Sequence, residues 1–323
     1  MSRSEHQGCS ANGSSVSPAV RSFLHDARQG RSLPHPGLGE TAKRLRLLRG
    51  EAAADPSVGR LVEAHADAMA MFAEARVIPR PATAFAVWAS GRPGSTTLRR
   101  VGAAFALNGT RAFCGGAAIV DAALVITDSL DGERLVLVDL RQPGIRVDTE
   151  TWKSSAFRDA GIATVHFRDV IIEPDDLIGP PGWYGSRPGF WHGSVGVAAL
   201  WVGITESILS SLDRLRRHQD ETSCIAAGAI EASMWAASSL LDQAGQQIDA
   251  LGETPSPGEA KAVALSCRHI VRHLLETAIA VFDQEVGPGA TAFDAVLGRR
   301  RAELTLALAQ SHGMRDLIVL AQP

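Results

Sequence analysis

Cysteines and aromatic residues are scarce in this sequence of 323 residues. A single tyrosine is present, and aromatic residues make up 5% of the chain, so few rings are available for a core or a binding site. None of the four cysteines belongs to a C-x-x-C pair, which argues against a zinc site and against a disulfide framework. We therefore predict no metal site and four reduced thiols, at Cys9, Cys114, Cys224 and Cys267.

An excess of positive charge is also missing. The 32 Lys and Arg residues are balanced by 35 Asp and Glu residues, and the net charge of −3 offers no basic field to a nucleic acid. The polar N-terminus has no apolar segment typical of a signal peptide. The most apolar run, 195–204, is interrupted by Gly196 and Gly203, so we predict no membrane-spanning segment. These features predict a cytoplasmic protein without nucleic-acid or membrane partners.

The hydrophobic pattern divides the chain into regions. Residues 1–17 are rich in Ser, Gly and Asn and are predicted to be a disordered tail. Residues 18–82 are predicted to form a short helical N-terminal domain. Within it, Glu63, His65 and Asp67 fall mostly off the apolar face of one helix, which predicts a solvated flank rather than a metal site.

Short runs rich in β-branched residues, separated by Gly, Asn, Asp and Pro, predict an antiparallel β barrel or sandwich over 83–181. Residues 182–323 return to helical patterning and predict a four-helix bundle. The fold class is therefore α+β, with several domains. The predicted strands are 85–90, 103–109, 111–116, 122–128, 134–140, 145–148 and 163–172, and the predicted C-terminal helices are 192–217, 223–250, 258–285 and 295–320.

Three segments, in the right order, resemble the acyl-CoA dehydrogenase-like flavoprotein superfamily. AAFALNGTRAFCGGAAIVDAALVITD (103–128) is similar to the family's strand, L-N-G-x-K turn and W-I-T segment. IATVHFRDVIIEPDDLIG (162–179) is similar to its v-x-F-d-d-V-x-V-P-x-e-n-l-l-G segment. A helix rich in small residues, 195–209, follows where the family begins its C-terminal bundle. The chain resembles a shortened, divergent member.

The resemblance implies an FAD site. VWASGRPGST (87–96) aligns with the family's V-T-E-P-x-A-G-S-D loop, and 113–115 with its W-I-T residues beside the flavin ring. Packing in the protein core is the alternative for the aromatic residues, and a buried thiol is the alternative for the cysteine. QEVGPG (284–289) is a weak match to a further FAD-binding motif. The implied cofactor-binding residues are Trp88, Ala89, Ser90, Ser95, Phe113, Cys114, Gly115, Gly287 and Gly289.

The usual catalytic glutamate is absent from both places where the family carries it. The equivalents are Ala309 or Gln310 near the last helix and Gly193 at the start of the bundle, and none of these can be a general base. The R-x-x-F-G loop, which in the family clamps the FAD pyrophosphate of a neighbouring subunit, also has no counterpart in 213–224.

Histidines are candidates to replace the missing base, because their pKa lies near neutral pH. We name His192, in the aromatic segment RPGFWHG, and His312 as candidate catalytic residues. Arg187 is a candidate for holding an anionic substrate group. The alternatives are core packing for His192, a surface position for His312, and a carboxylate on a neighbouring helix as the partner of Arg187.

Two functions follow from the resemblance. The first is an FAD-dependent oxidoreductase that acts on an acyl thioester or related carbonyl compound, by dehydrogenation of a CH–CH bond or as a flavin monooxygenase. The second is a catalytically degenerate homologue that serves as a partner subunit or ligand-binding scaffold. In either case the resemblance implies a homodimer or homotetramer.

Overall fold

The computed structural model describes residues 16–89, 95–215, 221–252, 257–311 and 313–321. Within this part of the chain, helices come first, then a β-sheet, then a second set of helices, in the predicted order. The helices are α1 (Pro18–Arg28), α2 (Thr41–Ala54), α3 (Pro56–Glu74), α4 (Trp183–Ser186), α5 (Pro188–Leu215), α6 (Glu221–Leu251), α7 (Pro257–Phe293), α8 (Ala295–Ala309) and α9 (Met314–Ala321).

Local sequence signals explain where the first helices begin. The hydroxyl oxygen of Ser17 accepts a hydrogen bond from the backbone N–H of Val20, and a proline opens α1. Asp55 caps α3 in the same way, through Ser57, and Pro56 follows it. Each cap satisfies backbone donors that the first turn of a helix leaves unpaired.

The strands of the described residues are β1 (Phe85–Trp88), β2 (Thr96–Val101), β3 (Ala104–Cys114), β4 (Ala122–Ser129), β5 (Gly132–Asp139), β6 (Ile145–Asp148), β7 (Ala163–Ile172) and β8 (Leu177–Ile178). They form one sheet, with the order β6-β7-β3-β2-β4-β5-β8 and with β1 paired to β4. Most pairs are antiparallel, as predicted, but β1 and β2 both run parallel to β4, so the prediction of a wholly antiparallel sheet is wrong. A parallel neighbour requires a crossover in the chain, which turn signals alone do not reveal.

The long strand β3 replaces two predicted strands, 103–109 and 111–116. The L-N-G segment, read as a turn, lies inside β3, where the pairing with β7 shifts register between Leu107 and Gly109. Gly109 has a φ of 120°, a conformation that glycine adopts most readily. Gly109 is therefore part of a β-bulge, not of the turn that the sequence pattern predicted.

The C-terminal helices also differ from the prediction. The predicted helix 295–320 is two helices, α8 and α9, and the predicted loop 286–294 is mostly helical, with a kink at Gly287, whose φ is 72°. The N-terminal helix α2 packs on α5 and α6, so the C-terminal bundle incorporates a helix from the first region. The predicted boundary at residue 82 stays a prediction.

Buried apolar residues join all three regions in one core. That core includes Trp88 and Phe157 of the β region and Trp201 and Ile248 of the C-terminal helices. A second, smaller cluster lies between α3 and the sheet and is built around Phe72 and Phe85. The sheet is thus held against helices from both ends of the chain.

Within the described residues, two helices are long and apolar enough to cross a membrane by length and composition alone. They are Pro188–Ser211, within α5, and α6. Core helices of soluble proteins pass the same test, and the apolar windows of α5 and α6 are 67% and 33% buried inside the protein, so this is weak evidence for a membrane segment. The absence of a membrane-spanning segment stays a prediction.

Gly203 is expected to be essential for the packing of α2 on α5. A Cβ atom at this position would lie 2.8 Å from the Cβ of Ala52 and would also contact the Arg49 carbonyl oxygen. We expect Gly203→Ala to lower the free energy of unfolding by roughly 1–3 kcal/mol, as overpacking does. Thermal and urea denaturation measure this.

Gly228→Ala is the matched control, because Gly228 lies in α6 with nothing within 4 Å of the added atom. We expect this change to be neutral or to stabilise by about 0.5–1 kcal/mol, since alanine favours the helix. Equal loss of stability in both variants would contradict the assignment of the packing contact to Gly203.

Candidate functional site

An exposed aromatic pair lies at the end of β3. Phe113 is 62% exposed and has a φ of 57°, which turns its ring away from the strand. Its ring meets that of Trp152 edge-on, with 6.0 Å between centroids. The indole N–H of Trp152 donates to the Ala156 carbonyl oxygen at 2.9 Å and so fixes that ring. The pair offers a planar ligand an aromatic surface that solvent can reach.

Glycine leaves space beside this pair. A Cβ built on Gly115 meets no atom within 4 Å. The backbone N–H of Gly115 donates to the Phe113 carbonyl oxygen at 3.0 Å, so this donor is engaged in a tight turn. The Gly115 carbonyl oxygen accepts from the indole N–H of Trp88 at 2.9 Å. This hydrogen bond joins the ends of β1 and β3. A role of either residue in cofactor binding stays a prediction.

Trp88 and Cys114 are buried. Trp88 is 2% exposed and belongs to the core, in agreement with the alternative given for it. Burial raises the pKa of the Cys114 thiol to about 12. A thiol with so high a pKa is a poor nucleophile at neutral pH, in line with a structural role.

A buried hydroxyl group without a partner lies at the start of β2. The Oγ atom of Ser95 is shielded from solvent and has no hydrogen-bond partner in the described part of the chain. Gly109 contacts this residue so closely that a side chain at 109 would strike the Ser95 carbonyl oxygen. Ala89 is half-buried at the end of β1, whereas Ser90 lies outside the described residues.

Two of the other predicted residues, Arg187 and His192, form a second group at the start of α5. Arg187 is buried, and its Nη1 donates to a Glu74 carboxylate oxygen at 2.9 Å. Its guanidinium also lies 5.8 Å from the Trp183 ring and 5.5 Å from the Tyr184 ring. A carboxylate on a neighbouring helix is thus its partner here, as the alternative proposed, and its role in substrate binding stays a prediction.

His192 is buried on the same helix. It is 3% exposed, and its Nε2 has no hydrogen-bond partner among the described residues. Burial, opposed by the nearby Asp249 carboxylate, lowers the pKa of its imidazole, so the ring is neutral near pH 7. The loop at Gly37 packs on the ring, because a Cβ at 37 would lie 3.1 Å from Nδ1. A catalytic role for His192 stays a prediction.

The prediction of a solvated flank on α3 is wrong. Glu63 and His65 are 5% and 3% exposed, and Asp67 accepts a hydrogen bond from Arg44 at 2.6 Å. The arginine supplies charge compensation that periodicity alone does not show. The i,i+4 spacing of Glu63 and Asp67, with Arg60 three residues before Glu63, is the sequence signal that could have revealed this cluster.

The two groups are separate. In the described part of the chain, no hydrogen bond, ion pair or ring contact joins Arg187 or His192 to Phe113 or Trp88. Gly287 and Gly289 lie at the kink of α7, with open space around both. His312 lies outside the described residues. The sequence thus predicted two sets of site residues that the fold places apart.

Solved structures with the same fold support the resemblance. A methanesulfinate monooxygenase, MsuC from Pseudomonas fluorescens, aligns with a TM-score of 0.73 and 15% identity over 87% of this chain and 81% of its own. The TdsC protein from Paenibacillus sp. A11-2, solved with FMN and indole, aligns with a TM-score of 0.73 and 17% identity over 94% of both chains.

KijD3, solved with FMN and a dTDP-linked amino sugar, aligns with a TM-score of 0.72 and 17% identity over 95% of this chain and 94% of its own. No protein-family model and no curated protein matches the sequence. The comparisons show that this chain shares the fold of these solved structures. At these identities they establish the fold alone.

The buried carboxyl of Glu63 is expected to make stability depend on pH. Burial raises its pKa from 4.5 to about 7, although Arg60 opposes the shift. The folded state therefore favours the protonated form, whose stabilising contribution is complete below pH 4.5 and is lost as the pH rises through about 7. This shift corresponds to a loss of stability of roughly 3 kcal/mol over the range, and we expect Glu63→Gln to abolish that loss.

Urea denaturation at several pH values between 4.5 and 8 measures the difference between the two proteins. The difference matters because burial lowers the pKa of His65 and of His192, so their contributions to stability rise with pH and oppose that of Glu63. Parallel stability curves for wild type and Glu63→Gln would contradict the raised pKa.

Proposed function

We propose that the protein is an FMN-dependent oxidoreductase of the monooxygenase type that acts on a small molecule. The observation that carries this proposal is the exposed Phe113–Trp152 pair beside the open space at Gly115, in a fold shared with proteins solved with FMN. Monooxygenation is favoured over dehydrogenation, because the glutamate that the family uses as a base has no counterpart at Gln310 or Gly193.

The residues at the ends of β1, β2 and β3 fit a flavin. Phe113 and Trp152 would pack against a planar ring system, and Gly115 would allow it to approach the backbone. The Ser95 hydroxyl has no partner in the described structure and can donate to a flavin oxygen or accept from a flavin N–H group. A bound flavin supplies the redox chemistry, whereas the protein binds and orients it.

FMN is favoured over the FAD implied by the resemblance. The TdsC and KijD3 structures were both solved with FMN. In addition, the sequence lacks the R-x-x-F-G loop that in the family binds the pyrophosphate, a group that FMN does not have. The Gly287 and Gly289 match to the FAD motif is correspondingly weak.

His192 would hold or accept a proton near a substrate in this proposal. Its neutral imidazole and unpaired Nε2 fit that role, and His312 is the second candidate. We further propose that the substrate is an acyl thioester or a related carbonyl compound. The structural relatives are described with other small molecules, namely indole and a sugar nucleotide.

A homodimer or homotetramer also belongs to the proposal. Apolar side chains on the outer face of α6 support it, because Ile225 is 46% exposed and Trp235 is 76% exposed. Large exposed apolar side chains on one helix are typical of a surface that packs on another protein. Cytoplasmic localisation stays a prediction.

Flavin binding tests the proposed function directly. We expect purified protein mixed with FMN and passed through gel filtration to keep a visible flavin absorption band. Phe113→Ala should raise the Kd for FMN about five- to tenfold, since a stacking aromatic ring contributes roughly 1–3 kcal/mol. Gly115→Leu should abolish binding without unfolding the protein, because open space surrounds that position.

Phe293→Ala is the matched control, since Phe293 is 93% exposed and lies at the far end of α7. Its Kd should equal that of the wild type. If the wild-type protein retains neither FMN nor FAD at saturating concentration, the oxidoreductase proposal is wrong. The degenerate scaffold predicted as the alternative would then account for the fold.

A further inference from the structure

A cavity of about 370 Å³ lies among α1, α2 and α3, apart from the residues proposed to bind flavin. Binding sites for small molecules have volumes of roughly 300–1,000 Å³, so the cavity is large enough for a ligand. Its apolar wall contains Phe23, Val58 and Val62. The residues that line it come from α1, α2 and α3 and from the segment that follows α1.

The wall of the cavity is partly aromatic. The His65 ring lies edge-on to Phe23 at 6.1 Å and stacks on Phe85 at 5.9 Å. Its Nδ1 accepts a hydrogen bond from the Phe85 N–H at 3.2 Å, so the ring proton is on Nε2. An aromatic ring in the ligand would extend this aromatic cluster.

His65 stays uncharged at neutral pH. Burial lowers the pKa of its imidazole to about 4, although the Arg31 carbonyl, which favours the charged form, opposes this shift. The inner wall therefore carries no positive charge that would repel a cation.

The mouth of the cavity carries negative charge. Asp26, Glu51 and Asp55 line it, against a single basic residue, Arg31. Arg31 already pairs with Asp26 at 2.7 Å, and Asp55 caps α3, so Glu51 is the carboxylate of this set without a side-chain partner among the described residues. Partial burial, and after it repulsion from the nearby Asp26 carboxylate, raises the pKa of Glu51. A cation between them would relieve this repulsion.

We propose that this cavity is a second ligand site, which takes a small arylalkylamine with its ring among Phe23, Val62 and His65 and its ammonium group at Glu51 and Asp26. The site recognises its ligand by an apolar, aromatic interior and an acidic mouth. It excludes carboxylates of the same shape, because the mouth would repel them. The site is independent of flavin.

Three fluorinated probes of similar shape separate these contributions. They are 2-(4-fluorophenyl)ethylamine, the uncharged 2-(4-fluorophenyl)ethanol and the anionic 4-fluorophenylacetate. Fluorine NMR line broadening measures the Kd of each for the full-length protein. We expect the amine to bind at least about fivefold more tightly than the alcohol, as one partly exposed ion pair allows, and the acid to show no binding. The preference for the amine should shrink in 1 M salt, which screens exposed charges.

Two variants locate the site. Glu51→Gln should weaken binding of the amine about three- to fivefold and leave the alcohol unchanged, because it removes one exposed charge at the mouth. Ala54→Trp should weaken both, since Ala54 is an exposed residue that lines the cavity and a large ring there would fill it. Glu231→Gln, an exposed carboxylate on α6, is the matched control and should bind like the wild type.

Equal affinities for amine, alcohol and acid would overturn the proposed charge recognition. Binding of the amine that survives Ala54→Trp would place it elsewhere and overturn the proposed site. Absence of binding by the wild-type protein at millimolar amine would overturn the proposal as a whole. Because both substituted positions are exposed, circular dichroism of the variants should match the wild type.

Discussion

The close packing of α2 on α5 and α6 is the constraint on which the rest of the structure depends. Gly203 and Gly245 let the helix axes approach, since a side chain at either position would strike α2. Arg49 then bridges the three helices, with its Nε 2.8 Å from Glu206 and its Nη1 2.7 Å from Ser238. The two glycines allow the helices to pack closely. Arg49 then forms hydrogen bonds with polar groups that this close packing would otherwise leave unpaired.

This contact also determines where the buried charges lie. With α2 held on α5, Arg44 is 1% exposed and faces Asp67 of α3, and Arg187 at the start of α5 faces Glu74. Each arginine is buried together with a carboxylate, which limits the cost of removing both charges from water. The region around His192 is therefore a tightly packed polar junction between the N-terminal and C-terminal helices.

The sequence predicted the order of elements and most strands, because short β-branched runs and turn residues are local signals. It did not predict the parallel pairs of β1 and β2 with β4, since parallel pairing depends on crossovers far apart in the chain. It placed Glu63 on a solvated flank, because hydrophobic periodicity identifies buried apolar residues. Periodicity does not show where an arginine compensates the charge of a buried carboxylate. The resemblance located Phe113 and Gly115 side by side, whereas nothing in the sequence showed that Arg187 meets Glu74.

The separation of the two groups of residues constrains any mechanism. A flavin on Phe113 and Trp152 would lie at the end of β3, whereas His192 lies against the Gly37 loop and is 3% exposed. Proton transfer by His192 would therefore require that a substrate reach this buried ring. A reaction that needs no protein base at the flavin avoids this requirement. The absence of the family's glutamate favours chemistry of this kind, in which His192 would serve only a step that moves a proton.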